Sequence, residues 1–112
     1  LLQKAMIWEN TPVIASINQK EFCEWLGFRV VGVINRPEDM SPRDFEKLIA
    51  TNATLVIGNL QEGTEAALSL GKLKGIPVAI LSSFPDVEGY GTGFDRLAEE
   101  NMKRIEDAWQ LR

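Results

Sequence analysis

Residues 54–81 read TLVIGNLQEGTEAALSLGKLKGIPVAIL, and this stretch decides the fold class. It begins and ends with short apolar runs, Thr54–Ile57 and Ile76–Leu81, whose length and β-branched content are typical of buried strands. Between them, apolar residues recur at helical spacing up to Gly75, which predicts one helix. A strand, a helix and a strand in this order form a βαβ unit. Strands that are apolar throughout are typical of a parallel sheet covered on both faces.

The same alternation extends towards the N terminus. Two more apolar runs, Pro12–Ser16 and Phe28–Ile34, are predicted strands, and a helical pattern follows each of them. Asn18 and Glu21 have the spacing of a capping box for the first of these helices. Ser41-Pro42 provides an N-cap and a proline at the first position of the second helix. The alternation of strand and helix therefore holds along most of the chain.

Helices are predicted at both ends of the chain. Residues 1–9 have the pattern of the end of a helix, and Phe94–Trp109 predicts a final helix that Thr92 caps. The predicted fold class is α/β, a three-layer α/β/α arrangement with a four-stranded, parallel, doubly wound sheet preceded by the end of a helix. The length of 112 residues predicts a single domain. Because the chain opens on Leu1-Leu2 inside a helical pattern, we expect it to be a segment of a longer protein.

The composition excludes several classes of function. The chain has no histidine, which removes Ser-His-Asp and Cys-His catalysis and the usual zinc sites. A net charge of −4 without a basic stripe argues against a nucleic-acid partner. No apolar run approaches the ~20 residues of a membrane span. Cys23 is predicted to be a small buried hydrophobe, and the three tryptophans are predicted packing anchors: Trp8, Trp25 and Trp109.

The candidate site follows from the predicted fold. Open α/β sheets bind ligands beyond the carboxyl ends of their strands, where the winding reverses. This rule selects the loops at 16–18, 35–37, 58–62 and 82–86, in which neutral side chains predominate. The candidates for a ligand cleft are Ser16, Asn18, Asn59, Gln61, Ser82 and Ser83. No nucleophile has a base at a defined spacing, so we expect no enzyme activity.

Several of these positions also have a purely structural interpretation. Asn18 is a predicted helix cap, and Asn59 either satisfies backbone groups of its loop or caps the helix that begins near Gly63. Glu62 and Asp86 are interpreted as solvated charges. A run of glycines at 89–93 precedes the last helix, but it lacks the third glycine of a dinucleotide fingerprint and is a weak signal for phosphate.

Four segments and the end of the chain carry a family resemblance. They are Gln19–Val31, Met40–Ile49, Leu55–Gln61, Ile76–Pro85 and the final helix from Phe94. In this order they resemble the C-terminal lobe of the zinc/manganese solute-binding proteins of ABC transporters, the ZnuA/TroA-like family. The resemblance covers roughly residues 8–110.

The resemblance implies a periplasmic or extracellular receptor, lipid-anchored in some forms, that delivers its solute to an ABC-transporter permease. Two α/β lobes joined by a long helix would hold Zn or Mn between them. Residues 1–10 would be the end of that helix and 11–112 the C-terminal lobe. The N-terminal lobe, which supplies two histidine ligands in the family, would be missing from this chain.

The resemblance also locates the metal ligands of the C-terminal lobe. They fall near 16–18 and at Ser82 or Ser83, and Asn59 stands where many relatives have an acid. All of these side chains are neutral here, and neutral oxygens are weak ligands for Zn²⁺ and Mn²⁺. Asn59 and Ser83 therefore remain as weak metal candidates. No cofactor is expected in this chain itself, and Zn or Mn would belong to the intact protein.

Two other functions remain open beside the metal receptor. A related receptor would bind a small polar ligand or a metal chelate through neutral hydrogen bonds, without metal ligation by this lobe. The other function belongs to a different class, a cytoplasmic flavodoxin-like regulatory or enzyme fragment. An upstream sequence without a secretion signal would indicate it.

Overall fold

The computed structural model describes residues 8–83 and 94–111. Strands and helices alternate along the chain, as predicted. They are β1 (Pro12–Ser16), α1 (Lys20–Trp25), β2 (Arg29–Ile34), α2 (Pro42–Ile49), β3 (Leu55–Asn59), α3 (Thr64–Lys74), β4 (Val78–Leu81) and α4 (Phe94–Gln110). Short 3₁₀ turns, Ile17–Gln19 and Pro37–Asp39, follow β1 and β2.

The four strands form one parallel sheet in the order β2-β1-β3-β4. Val13 of β1 is in register with Leu55 of β3, and Ile57 of β3 with Ala79 of β4. The crossover from β1 runs outward to β2, and the crossover from β3 runs outward to β4 in the opposite direction. The winding therefore reverses between β1 and β3, and the predicted doubly wound sheet is confirmed.

Successive strand residues point to opposite sides of the sheet, so strands that are apolar throughout give it two apolar faces. Helices cover both of these faces. On one face, Val13 and Ile57 pack with Cys23 of α1 and Ile105 of α4. On the other face, a second cluster packs against α2 and α3: Ile14, Val56, Leu48, Ala67 and Leu70. The arrangement is the predicted three-layer α/β/α sandwich, with the sheet buried between two apolar layers.

Two helix boundaries have the predicted chemistry. Ser41 caps α2, where its Oγ accepts a hydrogen bond from the Asp44 backbone N–H at 3.1 Å and its own N–H donates to Asp44 Oδ2 at 3.0 Å. Pro42 occupies the first position of α2. Gly75 ends α3 in the left-handed conformation, with φ of 68°, which glycine adopts without steric cost.

The capping box predicted at Asn18 is wrong. The chain enters the 3₁₀ turn directly from β1, so Asn18 lies inside this turn and is exposed. The first residue of α1 is Lys20, and the N-cap position falls to Gln19, whose side chain makes no capping bond. Asn18 is therefore one residue too early to cap the helix.

The tryptophans behave differently from one another. Trp8 is buried and stacks on Phe28 with ring centroids 5.3 Å apart, and Trp109 packs against the same core cluster. Trp25 is 67% exposed, so its predicted anchoring role is wrong. The short helix α1 presents Cys23 to the core, and a residue two positions later lies on another side of the helix.

Leu73 is exposed, because the buried face of α3 consists of Ala67, Leu70 and Gly71. Some predictions lie outside the described residues: the helix over 1–7, the Thr92 cap, the glycine run at 89–93 and Asp86. Within the described ranges, no helix has both the length and the apolar character needed to cross a bilayer.

Candidate functional site

Polar side chains collect at the carboxyl edge of the sheet. Ser16 ends β1, Asn59 ends β3 and Ser82 follows β4, and all three are buried. They lie at or next to the point where the winding reverses, which is where open α/β sheets bind ligands. Buried polar groups need hydrogen-bond partners, so the partners of these side chains define what the site does.

Asn59 has a fixed orientation. Its Oδ1 accepts hydrogen bonds from the backbone N–H groups of Gln61, at 2.9 Å, and Glu62, at 3.1 Å. The amide nitrogen must then point the other way, and it donates to Ser83 Oγ at 2.8 Å. Of its two structural interpretations, the structure confirms that Asn59 satisfies backbone groups of its loop. Gly63, and not Asn59, is the N-cap of α3.

Gln61 joins the loop after β3 to the loop after β4. Its Nε2 donates to Ser82 Oγ at 2.8 Å, and its Oε1 accepts from the Ser83 backbone N–H at 3.0 Å. Asn59 and Gln61 therefore hold Ser82 and Ser83 from one side. Four of the predicted candidates are brought together by these bonds.

Two further residues belong to this network and were not among the predicted candidates. Asn101 of α4 clamps Ser82, because its Oδ1 accepts from the Ser82 backbone N–H at 3.1 Å and its Nδ2 donates to the Ser82 carbonyl at 3.0 Å. The signal for Asn101 was available: it is a polar residue on the apolar face of the last helix, four residues before Ile105. Gln19 is 4% exposed and donates from Nε2 to Ser83 Oγ at 3.5 Å. No spacing rule points to Gln19.

The remaining candidates stand apart from this network. Ser16 is buried at the end of β1, and Asn18 is exposed on the following turn. Among the described residues, neither side chain hydrogen-bonds to Asn59, Gln61, Ser82 or Ser83. Asn18 does line a cavity together with network residues.

Two cavities open beside the network. A cavity of about 300 Å³ lies between α1 and α4, and its walls include Gln19, Phe22, Ser83, Leu97 and Asn101. A larger cavity of about 600 Å³ lies between the loops that follow β2 and β3. Its walls are mainly apolar and include Met40, Phe45 and Leu60. The network lies between a smaller cavity with both polar and apolar walls and a larger cavity with mainly apolar walls.

Charge is scarce in the described part of the site. Glu62, at the rim of the larger cavity, pairs with Arg36 across two loops at 3.9 Å. Burial, with a smaller effect of Glu24, raises the pKa of the Cys23 thiol to about 12. Cys23 therefore stays protonated at neutral pH and is the buried hydrophobe that the sequence predicts. Within residues 8–83 and 94–111, no group of three His, Cys, Asp or Glu side chains is placed to hold a metal ion.

The network can offer hydrogen bonds and neutral oxygen ligands. The two lone pairs of Asn59 Oδ1 already accept two backbone N–H groups, so a metal ion could bind there only if one of these bonds broke. Ser83 Oγ is the more accessible oxygen, because Ser83 lines the smaller cavity and is partly exposed. Within the described residues, the side chains that bond the loop after β3 to the loop after β4 are neutral hydrogen-bond donors and acceptors.

Comparison with known proteins shows the fold. The structure is similar to two mutant forms of a periplasmic metal-binding protein from Candidatus Liberibacter asiaticus. For the metal-free form the TM-score is 0.64 at 13% sequence identity, covering 95% of this chain and 43% of that one. For the Mn-bound form the TM-score is 0.63 at 14% identity, covering 95% and 44%. This chain therefore spans less than half the length of either structure. No protein-family model and no curated protein matches the sequence.

Proposed function

We propose that the chain is a solute-binding lobe of a periplasmic receptor for an ABC importer of the metal-ion type, similar to the ZnuA/TroA-like family. The observation that carries the proposal is the convergence of Asn59, Gln61, Ser82 and Ser83 at the switch point of the sheet. The order of the resembling sequence segments and the fold shared with solved periplasmic metal-binding proteins support it. The activity of such a lobe is binding and not catalysis.

In this proposal a second lobe closes over the edge of the sheet that carries the network. The solute, Zn²⁺ or Mn²⁺, is held chiefly by groups outside the described part of this chain, and Ser83 Oγ adds a neutral oxygen ligand. Closure of the two lobes creates the surface that the permease recognises. The intact receptor works in the periplasm or outside the cell, with or without a lipid anchor.

Metal titration of the intact protein that contains this chain tests the proposal. We expect saturable binding of Zn²⁺ or Mn²⁺, and Ser83→Asp is expected to tighten it on the order of tenfold, because divalent-cation affinity rises with the number of charged ligands. Ser69→Asp, at an exposed position of α3, is the matched control and should leave the affinity unchanged. Absence of binding by the unmodified protein would remove the metal assignment.

A second candidate function is favoured by the neutrality of the network. A receptor of the same architecture would bind a small polar molecule or a metal chelate, and this lobe would contact only its hydrogen-bonding groups. Within the described residues, glutamine, asparagine and serine side chains supply the side-chain bonds that link the loops after β3 and β4. Export of the intact protein distinguishes both receptors from a cytoplasmic flavodoxin-like module, which would carry no secretion signal.

A further inference from the structure

We propose that the cavity of about 300 Å³ between α1 and α4 is a subsite for an uncharged, planar amide or lactam group of a small organic ligand. The inference rests on the second form of the proposed function and names the chemical class that this lobe recognises. The volume of the cavity lies at the lower end of the range for small-molecule pockets, and it is large enough for one ring and one polar group.

Gln19 supplies hydrogen-bonding capacity that the protein leaves unused. Gln19 is 4% exposed, yet among the described residues its side chain makes a single hydrogen bond, in which Nε2 donates to Ser83 Oγ at 3.5 Å. Among those residues, every fully buried side-chain nitrogen or oxygen has a partner. Gln19 Oε1 must therefore keep an accessible surface, and Gln19 lines the cavity. A carbonyl acceptor and one N–H are available side by side.

Ser83 supplies a second donor. Because the backbone fixes the Asn59 amide, Ser83 Oγ accepts a hydrogen bond from Asn59 Nδ2 at 2.8 Å. It also accepts the longer bond from Gln19. Neither bond uses the hydroxyl hydrogen of Ser83, which can turn towards the cavity. The cavity thus combines one acceptor with two donors, the complement of a ligand that carries both a C=O and an N–H.

The other walls determine the shape and charge of the ligand. Phe22, Leu97 and Ala98 form apolar walls, and Phe22 is itself stacked on Trp25, with ring centroids 6.1 Å apart. No Asp, Glu, Lys or Arg is among the described residues that line the cavity. A charged group bound there would lose its hydration without an opposite charge, which is costly. A flat, neutral group is therefore preferred.

Benzamide and benzoate form a matched pair of probes for this subsite. They share one shape, but benzoate is an anion and lacks the N–H donor. In ¹H–¹⁵N spectra of the full 112-residue chain, we expect benzamide to shift the Gln19 side-chain amide and the Ser83 backbone amide, with a Kd on the order of 1 mM. Benzoate should bind at least about tenfold more weakly, because it loses a donor and its charge is uncompensated. This comparison needs no variant, so it does not depend on the folding of a mutant.

Two glutamine variants locate the bound probe. Gln19 lines the small cavity, whereas Gln110 is exposed near the end of α4 and lines neither of the two cavities. Gln19→Leu should weaken benzamide binding roughly tenfold, through the loss of two hydrogen bonds. Gln110→Leu should change it less than about twofold, because Gln110 is exposed and is not part of the cavity wall.

Three results would overturn the subsite: no binding of benzamide, equal binding of benzoate, or equal binding by Gln19→Leu and the unmodified chain. The metal titration of the intact protein is independent of all three. A metal-ion receptor that ignores benzamide would retain the proposed function and lose only the subsite. A protein that binds benzamide but neither metal would lose the metal assignment and retain the subsite.

Discussion

The two central strands, β1 and β3, are buried over nearly all of their length, and each ends in a buried polar residue, Ser16 or Asn59. The apolar residues Leu55 and Ile57 of β3 are 0% exposed, and so is Asn59 at its carboxyl end. Burial of Leu55 and Ile57 stabilises the fold directly, whereas burial of Asn59 contributes only if its hydrogen bonds replace those to water. The apolar interior serves stability. The polar edge is equally buried but gains less stability from its burial, which is consistent with the binding role proposed for it.

Leu55→Ala tests the interior and has the largest expected effect. Removal of a fully buried leucine side chain leaves a cavity between two layers, and we expect a loss of about 2–5 kcal/mol in the free energy of unfolding, measured by urea denaturation. Leu68→Ala is the matched control, because Leu68 is 52% exposed on α3. It should change stability by less than about 0.5 kcal/mol. Equal effects of the two substitutions would contradict the assignment of the core.

Asn59→Ala tests the polar edge, with an intermediate effect. The backbone N–H groups of Gln61 and Glu62 would lose their acceptor, which lies on the fully buried residue Asn59, and we expect a loss of about 1–3 kcal/mol. Gln61→Ala, in the same network but exposed, should cost less than about 1 kcal/mol because water replaces its partners. Urea denaturation of both variants provides the comparison. A larger loss for Gln61→Ala would show that the network is not anchored at Asn59.

The same contrast explains how much of the fold was predictable. The interior strands are local patterns: a continuous apolar run between glycine or proline residues is visible in the sequence, and all four predicted strands are present. The order of the strands is not local, since it depends on which crossover packs on which face. The exposure of Trp25 also escaped prediction, because it depends on how a helix of six residues meets the sheet.

The candidate site was predictable in part for the same reason. Asn59, Gln61, Ser82 and Ser83 follow strands in the chain, so the rule for carboxyl ends selects them, although their bonds with one another could not be read from the sequence. The other two groups approach from helices. Asn101 lies on the apolar face of α4, and Gln19 replaces Asn18 at the helix start because a 3₁₀ turn shifts the boundary. Both positions depend on packing between distant parts of the chain.

The capping box of α2 provides the exposed counterpart of the polar edge and the smallest expected effect. Ser41→Ala removes the acceptor of the Asp44 backbone N–H, and we expect a loss of about 1 kcal/mol in urea denaturation at neutral pH. Ser69→Ala, an exposed serine inside α3 and not at a cap, should change stability by less than about 0.5 kcal/mol.

Asp44 adds a pH dependence whose sign follows from its partner. The hydrogen bond from the Ser41 backbone N–H, followed by the bond to the Ser41 side chain, holds the pKa of Asp44 below its ordinary value of 3.8. The folded state therefore favours the ionised carboxylate. The contribution of this carboxylate to stability is complete above pH 3.8 and is lost as the pH falls through the lowered pKa of the folded state. The stability difference between the unmodified chain and Asp44→Asn should shrink as the pH is lowered from 7 towards 3. A difference that stays constant over this range would mean that the charge of the Asp44 carboxylate contributes nothing to the cap. The exposed cap would then be stabilised by neutral hydrogen bonds alone, as the buried contacts of Asn59 are.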